Sequence, residues 1–150
     1  MTRTPRRAFL VTSGATLLAI ALPQLAMAQA AAQAAAPKNR ALFSVTDNDQ
    51  ARWTMILNNI QNLRDGVGGE PVEVELVAYG PGIILLKSDS PLKQRIADLV
   101  KSGVKVNACQ NTMNVMKLTA PEMLTEIGYV PSGVVEVMRK QQQGWAYIRS

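Results

Sequence analysis

Apolar and polar positions along this chain switch repeatedly between two periods. Residues 41–45 (Ala-Leu-Phe-Ser-Val) form a short apolar run and predict a first strand. Thr46, Asp47, Asn48 and Asp49 follow, short side chains that can accept the free N–H groups of a helix start. Beyond them Trp53, Ile56, Leu57, Ile60 and Leu63 recur at three- and four-residue spacings, which predicts a helix over 50–64 with one apolar face. Residues 66–71 end it. Residues 72–78 alternate and then become wholly apolar, the pattern of a strand entering a core. Tyr79-Gly80-Pro81-Gly82 is a loop before a short apolar helix at 83–86. Ser90-Pro91 starts another helix, with Pro at the first helical position, Leu92, Ile96, Leu99 and Val100 inward and Gly103 as its cap. Residues 104–109 form a third strand. Thr112 opens a short helix carrying Val115, Met116 and Leu118, and Thr119 starts a further helical turn through Met123 and Leu124. Residues 128–130 are a fourth strand, Ser132-Gly133 begins a helix closed by Gly144, and 146–148 are the last strand.

Strands alternating with helices imply a parallel sheet covered on both faces through right-handed crossovers. The expected class is therefore α/β: a three-layer, flavodoxin-like domain with a mostly parallel five-stranded sheet. Ligands in such sheets sit at the carboxyl ends of the strands. That rule collects Thr46 and Asp47, then Tyr79, Gly80, Pro81 and Gly82, then Cys109, Gln110 and Asn111, and finally Pro131, Ser132 and Gly133.

The first 39 residues change the organisation. Arg3, Arg6 and Arg7 precede a moderately apolar stretch that ends at Pro23, and Ala26-Met27-Ala28 offers small residues where a signal peptidase cuts. With Arg6-Arg7-Ala8-Phe9-Leu10, this pattern resembles a twin-arginine export signal over 1–28, and it implies a periplasmic protein touching the membrane only through that segment. The stretch is short for an uncleaved anchor. Residues 29–39, rich in Ala and Gln, read as a linker, and 40–150 as the folded domain. Removing the signal takes away three arginines and no acid, lowering the formal charge from +5 to +2. No basic cluster interleaved with aromatics remains, so no nucleic-acid partner is expected.

Composition then narrows the chemistry. With 47% hydrophobic and 18% charged residues, the 150-residue chain is not intrinsically disordered. There is no His, which removes Ser-His and Cys-His pairs and imidazole metal sites. The single Cys, Cys109, excludes an internal disulfide and every Cys-x-x-Cys motif. Cys109 falls at the end of a core strand and just before a helix start, where free N–H groups favour a thiolate. An inert buried Cys fits the same position. Asp47 and Asp49 read as capping groups before metal or base roles, Asn111 as a turn amide, and Glu122 and Glu126 as a solvated helical face. If the helix after Cys109 began early, Cys109, Met113 and Met116 would share one face and suit Cu(I), although a Met stripe is ordinarily core packing. No cofactor is called for.

Several segments carry a resemblance. Ala51-Arg52-Trp53 with Leu57-Asn58-Asn59, Val77-Ala78-Tyr79-Gly80-Pro81-Gly82, Gly103-Val104 leading to Ala108-Cys109-Gln110-Asn111-Thr112-Met113, and Val130-Pro131-Ser132-Gly133-Val134-Val135-Glu136 are similar to the DsrE/DsrF-like family in order and spacing. The resemblance implies a small α/β domain that assembles into oligomers, commonly trimers or hexamers. It also implies that Cys109 carries sulfane sulfur as a persulfide, exchanging it with a donor or acceptor protein or a small sulfur species. Whether such a protein is a carrier or a sulfurtransferase stays open. Against it stands a non-enzymatic oligomeric binding module with a structural Cys109. The relay proteins of this family work in the cytoplasm, whereas this chain carries an export pattern.

Overall fold

A computed structural model describes residues 39–149; the expected export signal and all but the last residue of the expected linker lie outside the described residues. The chain runs β1 (Asn39–Val45), α1 (Gln50–Gly66), β2 (Val72–Ala78), a 3-10 helix (Gly80–Leu86), α2 (Lys93–Lys101), β3 (Lys105–Cys109), α3 (Gln110–Met116), a 3-10 turn (Ala120–Glu122), β4 (Gly128–Val130), α4 (Gly133–Gln142) and β5 (Ala146–Ile148). All four strand pairings are parallel, and the sheet order is β4-β3-β2-β1-β5. The three-layer α/β class is as the alternation implies. The order, which periodicity leaves open, is not flavodoxin's own, because the chain reverses direction only at its last crossover.

That order decides where a site can form. Three successive right-handed steps from β1 to β4 keep α1, α2 and α3 on one face, and the long return from β4 to β5 carries α4 to the other. The apolar clusters follow this division. Ala41, Phe43, Val45, Leu76 and Ala78 pack with Trp53, Ile56, Leu57 and Ile60 of α1 and Ile96 of α2. A smaller cluster of Leu42, Val77, Val130 and Trp145 packs with Val137 of α4. The loops after β3 and β4 therefore leave toward opposite faces and open a crevice between those strand ends, at the carboxyl edge where parallel sheets bind ligands.

Local chemistry explains the element ends. Asp49 caps α1, its carboxylate accepting from the N–H groups of Ala51 at 2.8 Å and Arg52 at 3.2 Å. Helix α2 starts later than the Ser-Pro pair suggests. The Ser90 hydroxyl accepts from Leu92 N at 3.3 Å and its carbonyl from Lys93 N, forming a turn that delays the helix to Lys93. Gly103, at φ +93, closes α2, with Gly103 N–H bonded to Val100 and Val104 N–H to Leu99. Glu122 and Glu126 do not share a helix. Glu122 accepts from Thr119 N and Oγ1, both at 2.8 Å, completing a capping box, and Glu126 lies in the turn beyond. Val115 and Met116 are exposed. Beneath α4, Glu75 is 1% exposed and held by Lys140 Nζ at 2.7 Å and Asn107 Nδ2 at 2.9 Å. Among the described residues no helix is long and apolar enough to cross a membrane.

Candidate functional site

Cys109 is the last residue of β3 and the N-cap of α3, which begins at Gln110, two residues before the expected start. The thiol therefore takes the place of a capping oxygen. Its Sγ accepts from Thr112 N at 3.4 Å and, from the other side of the crevice, from Gly133 N at 3.2 Å. The two turns are tied by Asn111 N–H, which donates to the Pro131 carbonyl at 3.2 Å. The Thr112 hydroxyl accepts from Gly80 N at 3.0 Å, and its own hydrogen is free to turn to the sulfur.

These donors set the charge of the sulfur. Burial raises the Cys109 pKa and is the largest single influence. The Thr112 hydroxyl, the Gly133 N–H, the Thr112 N–H and the Asn111 N–H all oppose it and together outweigh it, so the thiol sits below its ordinary value. Cys109 is 3% exposed, yet it belongs to neither apolar cluster. Its hydrogen-bond partners include two main-chain N–H groups, a setting that supports a thiolate.

The other residues collected from the strand ends divide into two groups. Asn111 and Ser132 flank the thiol, Asn111 in the first turn of α3 and not in a loop as expected, Ser132 as the N-cap of α4 without a side-chain capping bond. Gly80 and Gly82 serve backbone geometry. Gly80 adopts φ +54, and a side chain at Gly82 would collide with the Val45 carbonyl. Tyr79 packs on Gly133, where a methyl group would lie 2.7 Å from its Cδ1. Asp47 is elsewhere. Its carboxylate pairs with Arg52 Nη1 at 3.2 Å, and its carbonyl accepts from Trp53 Nε1 at 2.7 Å. It lines a cavity of about 370 Å³ whose walls do not include Cys109.

Sequence reasoning places Gly133 among the strand-end residues but assigns neither it nor Thr112 to the sulfur. One signal was present: Cys109-x-x-Thr112 has the spacing of an N-cap and its N3 residue. Met113 packs in the larger cluster while Met116 is exposed, so the early helix start does not leave both as free sulfur ligands. Among the described residues no group of three or more His, Cys, Asp or Glu is placed to hold a metal ion.

The DsrE/DsrF-like family model matches residues 8–149. A solved protein of unknown function from Methanobacterium thermoautotrophicum is 32% identical with a TM-score of 0.72, the match covering 75% of this chain and 100% of that one. A second, a conserved protein of unknown function from Bacteroides thetaiotaomicron, shares the fold at 12% identity and a TM-score of 0.61, over 75% of this chain and 95% of that one. No curated protein matches. The chain belongs to the DsrE/DsrF-like family.

Proposed function

We propose that the protein handles sulfane sulfur through Cys109. The observation that carries this is the convergence of Gly133 N–H, Thr112 N–H and the Thr112 hydroxyl on one sulfur in the crevice between the ends of β3 and β4. The family gives the sulfur-related role its context. With thiosulfate as donor, the Cys109 thiolate attacks the outer sulfur, the bond from that sulfur to the sulfonate breaks, and its electron pair leaves with sulfite. The product is a Cys109 persulfide anion held by the same donors. Because Cys109 is 3% exposed, compact donors such as thiosulfate or polysulfide suit it better than bulky ones.

The test is the intact mass of the native protein after treatment with polysulfide or thiosulfate. Gain of one sulfur atom, absent in Cys109→Ser and slower in unfolded protein, is expected. No gain would end the reading. A native thiol also unreactive to a small alkylating reagent would favour the structural-cysteine module, for which the low exposure speaks.

Two further parts of the proposal concern context. Val134 (62% exposed), Val135 and Met138 (48% exposed) leave α4 with an apolar outer face that supports a homo-oligomer, a trimer or hexamer. Sedimentation showing only monomer would contradict it. Residues 1–28 act as a twin-arginine-type export signal to the periplasm, which the mass of the protein recovered from that compartment would check.

A further inference from the structure

The cavity at the carboxyl ends of β2, β1 and β5 has no part in the chemistry above. It encloses about 370 Å³, lined among others by Ser44, Asp47, Arg52, Tyr147 and Arg149. Three features define what fits. Trp53, Tyr79 and Tyr147, three of the chain's seven aromatic residues, line this one space. Its charged lining is two guanidiniums against one carboxylate, beside the N-terminal turn of the 17-residue α1, whose dipole adds to the positive side. The single carboxylate, Asp47, holds Arg52 only through a solvent-facing pair, their side chains 58% and 52% exposed. Such a pair is worth little, so an incoming anion can replace Asp47 as the partner of Arg52. One wall is fixed in advance. The Trp53 indole is anchored to the Asp47 carbonyl, and Ser44 Oγ and Tyr147 OH are 2.7 Å apart.

We propose that this cavity binds a small molecule combining one flat ring with one anionic group, a carboxylate or phosphate ester, held by Arg52 and Arg149 with the ring among Tyr79, Tyr147 and Trp53. The volume lies near the lower end of the range for ligand sites, about 300–1,000 Å³, which suits a single ring and not a dinucleotide. The proposal is independent of Cys109.

The experiment is an NMR titration of the full chain carrying Cys109→Ser, which removes any thiol reaction. Benzoate is the probe, with benzyl alcohol as the same ring without charge and inorganic phosphate as charge without a ring. Benzoate is expected to shift the Trp53 indole N–H and the Tyr147 and Arg149 amides saturably. Benzyl alcohol and phosphate should each bind about tenfold more weakly or worse, as should benzoate to Arg52→Gln or Arg149→Gln, since each loses a charge-assisted bond or the stacking. Asp47→Asn, which removes the competing carboxylate, should tighten benzoate. The same spectra show whether each variant is folded. Shifts that stay linear, equal binding of benzoate and either control, or weaker binding in Asp47→Asn would overturn the proposal.

Discussion

Gly133→Ala gives a sharp test of how the two turns of the site are packed. Gly133 is the first residue of α4, is buried, and has no positive φ, so the backbone itself accepts alanine. Helix propensity alone would favour the change by at most about 1 kcal/mol. Packing works against it. The new methyl would lie 2.7 Å from Tyr79 Cδ1 and 2.9 Å from its Cβ and Cγ, and the Cβ is fixed to the strand end. Overpacking costs about 1–3 kcal/mol, and a clash that includes an immobile Cβ falls in the upper part, about 2–3 kcal/mol, so it wins by roughly 1–2 kcal/mol. For a domain of this size that is a drop of roughly 4–12 °C in Tm. Moving α4 off Tyr79 also draws Gly133 N–H from the sulfur, so the Cys109 pKa should rise in the same variant. Thermal and urea unfolding of Gly133→Ala, alone and with Tyr79→Gly, which removes the Cβ as well as the ring, separates the terms. With the whole side chain gone, the alanine should be neutral or stabilising. If Gly133→Ala is as stable as the parent, or costs the same in both backgrounds, Tyr79 is not seated on α4 and the packing argument fails.

Two other substitutions probe separate parts of the account. Thr112→Val removes the hydroxyl that donates to Cys109 and strands Gly80 N–H, so it should cost about 1 kcal/mol in urea unfolding and raise the thiol pKa, while Thr112→Ser keeps both near the parent. The pH dependence has a definite sign. A thiol lowered on folding contributes stability that is full above the unfolded value, near 9.0, and is lost as the pH falls through the folded value. The advantage of the parent over Thr112→Val should therefore grow toward alkaline pH; a difference that stays flat would count against the hydroxyl's role. Lys140→Met leaves the buried Glu75 carboxylate without its cation and should cost about 3 kcal/mol, with most of it regained in Glu75→Gln/Lys140→Met. Equal losses in the single and double variants would show that the pair is not coupled.

The alternation of periods was enough to find all five strands, because β2, β4 and β5 are bounded by Gly, Pro or a helix cap that stops the apolar run. Helix starts were harder. Ser90-Pro91 carries a capping signal that the chain uses for a turn, and Cys109 caps α3 with a sulfur that propensity rules do not count as a cap. Strand order was not legible, since it depends on which way each crossover packs. The order alone brings Gly133 beside Cys109, 24 residues apart. The same non-locality places Asp47 with Tyr147 and Arg149, far along the chain, and away from the thiol it was grouped with. Rules that gather every strand end into one site cannot distinguish two crevices on one sheet edge.

The account turns on whether main-chain and hydroxyl donors outweigh burial at one sulfur. Thiolate absorbance across a pH titration measures this directly, because Cys109 is the only thiol in the chain. Ionisation in the native protein should have its midpoint below that of the same protein in urea. A native midpoint at or above the unfolded one would mean that burial wins, leaving Cys109 a neutral thiol with no part in sulfur chemistry.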